Sequence, residues 1–322
     1  MAETVRTDVA APDQVTLAAF VAMVFIGGSN VVAVSLSNGE LPPFFGAGLR
    51  FAVAGAILLG VVAVRRIPFP RGPALIGTLL YGVIGFAGFY SFAYWALRPN
   101  GLPASVAAVV LASVPLLTFF FAQAHGLETF RWRPLVGAVI AIAGIAVLIG
   151  GDLELQLPVA PLLAAFGAAA AGAEGGVVIK RFPPNSPVTA NAYGMLIGAL
   201  LLLALSLVAG ENWTLPGRAF DWGVLVYLVL AGSVALFVLF LFVLKRWTAT
   251  GTSYFTVLMP IVAAVLGAWV LDQPITVAVV LGGLVVLAGV YIGALSHGKV
   301  PAPVTGPKAE ESEALAQRCS TC

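Results

Sequence analysis

Residues 222–244 read WGVLVYLVLAGSVALFVLFLFVL, a stretch with no charge in it, and Lys245-Arg246 follow at once. A hydrocarbon core about 30 Å thick takes about 20 helical residues to cross. Lipid offers no partner to an open backbone N–H or C=O, so a run of this kind is a helix. The two cations that end it belong in the interface beside the hydrocarbon. Residues 222–244 are therefore read as a transmembrane helix, and the rest of the chain is read outward from it.

Nine further runs have the same character, at about 15–37, 42–64, 73–97, 102–123, 132–150, 158–179, 187–209, 250–271 and 276–295. The expected fold is an all-α integral membrane protein of ten transmembrane helices. The joints are short and carry turn residues: Asn38-Gly39-Glu40, Asn100-Gly101, Pro183-Pro184-Asn185 and Asp272-Gln273-Pro274. The longest, 210–221, leaves no room for a soluble module, which argues against a receptor, a sensor kinase or an enzyme with an aqueous domain. Residues 1–14 form a short polar lead and 296–322 a Pro-rich polar tail expected to be disordered. No cleavable secretory signal is read at the start, because the first apolar run is too long for one.

Composition agrees. Of 322 residues 60% are hydrophobic and 9% charged, where a soluble domain carries about 25% charged residues. A net charge of +2, with the cations in small clusters between apolar runs, presents no basic stripe for nucleic acid. The two cysteines, Cys319 and Cys322, form one CxxC on the tail, which lacks a second ligand pair, so neither metal nor cofactor is expected. No ATP-binding motif is present, and the Gly-rich runs are not phosphate loops.

Orientation follows from Lys and Arg. With the N-terminus inside, Arg6, Arg65, Arg66, Arg71, Arg131, Arg133, Lys180, Arg181, Lys245, Arg246, Lys299, Lys308 and Arg318 are cytoplasmic; only Arg98 and Arg218 fall outside, and Arg50 lies within a span. The positive-inside rule then places both termini in the cytoplasm of an inner-membrane, multi-pass protein.

The chain also repeats itself at an offset of 145 residues, pairing Pro42 with Pro187, Ala104 with Ala249, Pro115 with Pro260, Gly137 with Gly282 and Gly144 with Gly289. The two halves are 15–150 and 158–295. Five helices is an odd number, so the halves enter the membrane from opposite faces, as inverted repeats with a solute site expected between them near the midplane.

Polar groups inside spans are costly and mark candidate sites. Arg50 reads either as an anion-binding group or as a structural tie. Glu174, in Gly172-Ala173-Glu174-Gly175-Gly176, reads as a proton acceptor or cation site. Its counterpart across the repeat is Ser29, beside Asn30, and the two glycine-flanked patches are expected to frame a central cavity. Glycine beside a polar residue is equally ordinary packing surface. Tyr81 and Tyr90 on helix three are candidate cavity residues, with Asn191 and Tyr254 weaker candidates. Tyr94, Trp95, Trp132, Trp222 and Trp247 read as interfacial anchors. Pro115 and Pro260 fall mid-helix, where a missing amide allows a kink or hinge. Glu128 and Asp272 read as caps for helices five and ten.

These residues carry a resemblance. Gly28-Ser29-Asn30-Val31-Val32-Ala33-Val34, Pro42-Pro43 followed by Arg50-Phe51, and the series Ala107, Pro115, Glu128, Gly137, Gly144, repeated as Pro260, Asp272, Gly282, Gly289, resemble the EamA-type transporters of the drug/metabolite transporter superfamily over nearly the whole chain. It departs from that pattern in having Gly27 where Trp is common, Ser35 where Lys is common and Asp272 where Glu is commoner. The resemblance implies export or exchange of small metabolites, often amino acids, through a central cavity by alternating access. A small solute, the bilayer and protons are the expected partners, and a homo-oligomer stays open. The alternative is an exporter of lipophilic cations, for which a membrane Glu among aromatics is also suited. A membrane enzyme or a passive channel is disfavoured: His125 and His297 lie at or beyond span ends, and no filter loop or ring of like side chains is visible.

Overall fold

The structure is a computed structural model and describes residues 12–37, 41–97, 107, 110–149, 158–270 and 277–295. All regular structure among them is helical. The helices are α1 (Gln14–Ser37), α2 (Pro43–Val64), α3 (Pro73–Ala96), α4 (Val114–Ala124), α5 (Trp132–Ile149), α6 (Val159–Arg181), α7 (Pro187–Val208) and α8 (Ala219–Arg246). α9 has two pieces, Ala249–Ser253 and Phe255–Val270, joined at Tyr254, and α10 is Val277–Val290 running on into a π-helical turn, Tyr291–Leu295. Among the described residues seven helices (α1, α2, α3, α6, α7, α8 and α9) are long and apolar enough to cross a membrane, against the ten expected. α4, α5 and α10 are apolar but shorter. Cys319, Cys322, Asp272, the tail and the turns at 38–40, 100–101 and 272–274 lie outside the described residues.

Local chemistry explains the helix ends. Pro43, Pro73 and Pro187 sit in the first turns of α2, α3 and α7, where no intrahelical amide partner is lost. α4 and α7 end on Gly126 (φ 71°) and Gly210 (φ 69°), in the left-handed region that glycine enters at little cost. α1 starts on Asp13, whose carboxylate accepts the Thr16 amide at 2.7 Å. Pro115 lies in the first turn of α4, just after a turn at residues 112–113, whereas Pro260 is inside α9. The expected pair of mid-helix prolines is thus realised once as a break and once within a helix.

Packing follows an internal two-fold pattern. α2 packs against α7 and α5 against α10; α1 lies on α9 as α6 lies on α4, and α3 lies on α6 as α8 lies on α1. Exchanging each helix with the one five places on maps these pairs onto one another. The repeat glycines sit at the α5–α10 crossing. A Cβ on Gly137 would lie 2.6 Å from the Gly289 carbonyl oxygen, and one on Gly144 would lie 2.7 Å from the Val286 nitrogen. Only hydrogen at these positions lets the two backbones touch. α3 and α8, equivalent under the exchange, each contain a π-helical stretch, Tyr81–Gly88 and Leu230–Ala235, a feature frequent at functional sites.

One apolar core joins α2, α3, α7 and α8 through Phe45, Phe51, Phe86, Met195, Leu202 and Leu225. A second joins α1, α5, α8, α9 and α10 through Phe20, Met23, Ile145, Val243, Val257 and Val286. Two acidic residues bind across the halves. Glu211 accepts the Phe44 and Phe45 amides (3.1 and 2.8 Å) at the start of α2. Glu128 was expected to cap α5 and instead takes the Thr250 amide and hydroxyl (3.0 and 2.8 Å) at the start of α9. In each case the carboxylate meets unpaired amides at a helix N-terminus.

Candidate functional site

A cavity of about 130 Å3 lies among α3 and α4 of the first half and α6, α8 and α9 of the second. Its wall is mainly apolar and aromatic: Tyr81, Phe89, Tyr90, Phe237, Phe240 and Phe255. Gly85, Gly172 and Gly176 thin the wall where the helices converge. Thr118, Ser253 and Thr256 donate their hydroxyls to their own helices (Val114, Thr250 and Ser253 carbonyls, 2.7–2.8 Å) and keep lone pairs free to accept. The lining on α6 and α8 falls toward their C-terminal ends, which carry Lys180-Arg181 and Lys245-Arg246, so the cavity occupies the half of the bundle nearest those cations.

Toward the other half an aromatic layer closes it. Phe51 packs edge-on against Phe86 (5.0 Å between centroids) and Tyr90 (4.8 Å), and Phe86 lies 4.7 Å from Phe237. Behind Tyr90 stands Arg50, 2% exposed. Its Nη2 donates to the Tyr90 hydroxyl at 2.9 Å, and its guanidinium lies over the rings of Phe51 (4.6 Å) and Tyr90 (5.4 Å). Its Nε is buried with no hydrogen-bond acceptor, and among the described residues no carboxylate pairs with it. Burying a charge without a counterion costs several kcal/mol even after relaxation, and ring faces and one phenol return only part of that.

Glu174 lies at the edge of the cavity, on α6 between the lining residues Ala173 and Gly176. Its Oε1 is 2.9 Å from Nε2 of His125, at the end of α4, while its Oε2 is buried without a partner. The His125–Glu174 pair thus joins the two halves. His125 went unrecognised in the sequence because it sits just past a span end.

The other candidates divide. Tyr81 lines the cavity, and its hydroxyl reaches Asn191 Oδ1 at 3.4 Å. Asn191 is fully buried and donates to the Phe237 carbonyl at 2.8 Å, so it ties α7 to α3 and α8 beneath the wall. Ser29 and Asn30 do not meet Glu174. Ser29 bonds the Tyr227 hydroxyl and its own helix. Asn30 is buried against Gly232 of the α8 π-stretch, its Oδ1 without a partner. Tyr254 is buried away from the cavity and donates to the Pro134 carbonyl at 2.8 Å. Among the expected anchors, Trp132 and Trp222 are exposed. Trp247 is buried edge-on against Phe20 (5.3 Å), and Tyr94 packs against Phe44 and Tyr90. The α8 lining had a signal in the sequence: Phe237, Phe240 and Leu244 recur at helical spacing opposite the aromatic stripe of α3.

Together these features define a helical membrane protein built as two packed halves around a cavity sized for a small solute. The chain belongs to the EamA-like transporter family, whose model matches twice, over residues 15–150 and 159–294. It is 29% identical over 249 residues to the uncharacterized inner membrane transporter YedA of Escherichia coli K12, covering 77% of this chain and 80% of that one. It is 25% identical over 280 residues to a probable amino-acid metabolite efflux pump of Salmonella typhimurium LT2, covering 84% of this chain and 91% of that one. A crystal structure of a protein with 20% identity superposes with a TM-score of 0.74, over 87% of this chain and 96% of that one, and shares the fold. The chain is accordingly a multi-pass membrane transporter with two EamA repeats.

Proposed function

We propose that this transporter moves small polar metabolites, amino acids foremost, by export or exchange, through the cavity between two inverted five-helix repeats that together make ten spans with both termini in the cytoplasm. The observation that carries this reading is a cavity walled by helices of both halves and stopped at one end by the Phe51–Phe86–Tyr90–Phe237 layer. Alternating access moves that stop to the other end. The internal exchange pattern gives the helices at that end equivalent neighbours, with Ser29, beside Asn30, in the place that Glu174 holds in the first state. Tyr81 and Tyr90 contact the solute, Asn191 holds Tyr81, and Glu174 with His125 is the proton-linked pair. Pro115, in the first turn of α4, and Pro260, inside α9, are the points at which these helices flex during the exchange. The name of the Salmonella relative supports amino acids as the first solutes to test.

The test is counterflow in proteoliposomes, with unlabelled solutes loaded singly and uptake of a labelled partner recorded. Saturable trans-accumulation with amino acids bears the reading out; none, from protein shown to be folded, removes the amino-acid assignment. The aromatic lining beside Glu174 favours a second reading, export of lipophilic cations. Dye resistance in cells and counterflow with organic cations but not amino acids would select it.

A further inference from the structure

Among the described residues Arg50 is the largest side chain that is almost wholly buried, and none of their carboxylates pairs with it. If it were a structural tie, its fork would be filled by carbonyls or a carboxylate. Instead, among the described residues, Nη2 reaches the Tyr90 hydroxyl and the buried Nε has no acceptor. Tyr90 is also a wall residue of the cavity. The same ring therefore faces the apolar cavity and covers the guanidinium.

We propose that Arg50 is the receptor for a single negative charge on the transported solute, reached when Tyr90 turns aside and gives up its hydrogen bond. With the carrier reading as its premise, this makes the solute class a carboxylate monoanion with an apolar body. The planar guanidinium fork matches a carboxylate in a two-point contact. One positive charge balances one carboxylate, whereas a phosphate monoester would leave about half to one further negative charge unpaired in the same apolar site. Phe51 flanks the guanidinium at 4.6 Å, and the aromatic cavity wall receives the apolar body. The Tyr90 hydroxyl stands where one carboxylate oxygen would meet Nη2.

The test uses full-length protein in detergent at constant ionic strength. Melting temperature is recorded with acetate, phenylacetate and L-phenylalanine, and with phenylacetamide as the neutral isostere. Phenylacetate should raise the melting temperature saturably and the amide should not. The effect should vanish in Arg50→Gln and survive in part in Arg50→Lys. In Tyr90→Phe the half-saturating concentration should fall several-fold, because the guanidinium loses its placeholder. Arg50→Gln without ligand should melt no lower than wild type, since a buried unpaired charge has been removed. Carboxylate and amide acting alike, no carboxylate acting on wild type, or an equal effect in Arg50→Gln would each overturn the site. Arg50→Gln melting well below wild type would return Arg50 to a structural role; should it not fold at all, Arg50→Lys and Tyr90→Phe still decide. Counterflow run in parallel separates the two readings. Counterflow without Arg50-dependent carboxylate binding keeps the carrier and removes the anion site, and the reverse keeps the site and removes the carrier.

Discussion

His125 Nε2 stands 2.9 Å from Glu174 Oε1, so the end of α4 in the first half is held to α6 in the second at the edge of the cavity. A pair that bridges two halves expected to move against each other acts as a unit. Glu174→Gln and His125→Gln should each slow counterflow by about tenfold, and the double variant should be no slower than either, the non-additivity of groups in direct contact. Equal rates in all four proteins would show that the pair takes no part in transport.

Glu211 receives two amides at the start of α2 and the Ser206 hydroxyl, and the Trp213 indole in turn donates to Ser206. Removing a capping side chain costs about 1 kcal/mol. Glu211→Ala should lower the melting temperature in detergent while leaving counterflow per folded molecule close to wild type.

At the α5–α10 crossing a Cβ on Gly289 would lie 2.7 Å from both the Gly137 oxygen and the Ala141 nitrogen, whereas one on Gly283 meets nothing within 4 Å. Backbone cannot yield as a flexible side chain does, so Gly289→Leu should cost about 2 kcal/mol or more. Size-exclusion profiles and melting curves should show a damaged protein for Gly289→Leu and a near-normal one for Gly283→Leu.

Tyr254 is sealed against the start of α5 by one hydrogen bond to Pro134. Tyr254→Phe should reduce stability by about 1 kcal/mol and change counterflow by less than about twofold, in contrast to substitution of Tyr81 on the cavity wall.

Asp13 is held below the ordinary carboxylate value of 3.8, first by the Thr16 hydroxyl and then by the Thr16 amide. A depressed folded value means that the contribution is present above the unfolded value and is lost as pH falls through the folded one. The melting-temperature difference between wild type and Asp13→Asn should be flat above about pH 4 and narrow below it.

Much of this was legible beforehand, for identifiable reasons. Charge-free runs report helices because lipid leaves the backbone no alternative. The 145-residue offset located Gly137, Gly144, Gly282 and Gly289, which proved to lie at the α5–α10 crossing. Arg50 and Glu174 were singled out as charges in apolar runs and Tyr81 and Tyr90 by their spacing on helix three; the two tyrosines line the cavity, Arg50 lies behind Tyr90, and Glu174 stands beside the lining residue Ala173. Ser29 and Asn30 were expected beside Glu174, but in this state they pack against α8. A repeat offset shows which residues are equivalent and says nothing about which half of an exchange pattern is open.

The sequence by itself determined the helical membrane class and the two-repeat plan, which rest on hydrophobic length and periodic spacing, and the family, which rests on the resemblance of its motifs; all three are properties of the chain in order. Only the tertiary structure decided who meets whom. His125 reaches Glu174 across 49 residues, Glu128 reaches Thr250 across 122, and Arg50 finds a phenol and two rings where a carboxylate was possible. Such pairings depend on how the helices fill space together, and a buried charge shows whether it has a partner only once every neighbour is in place.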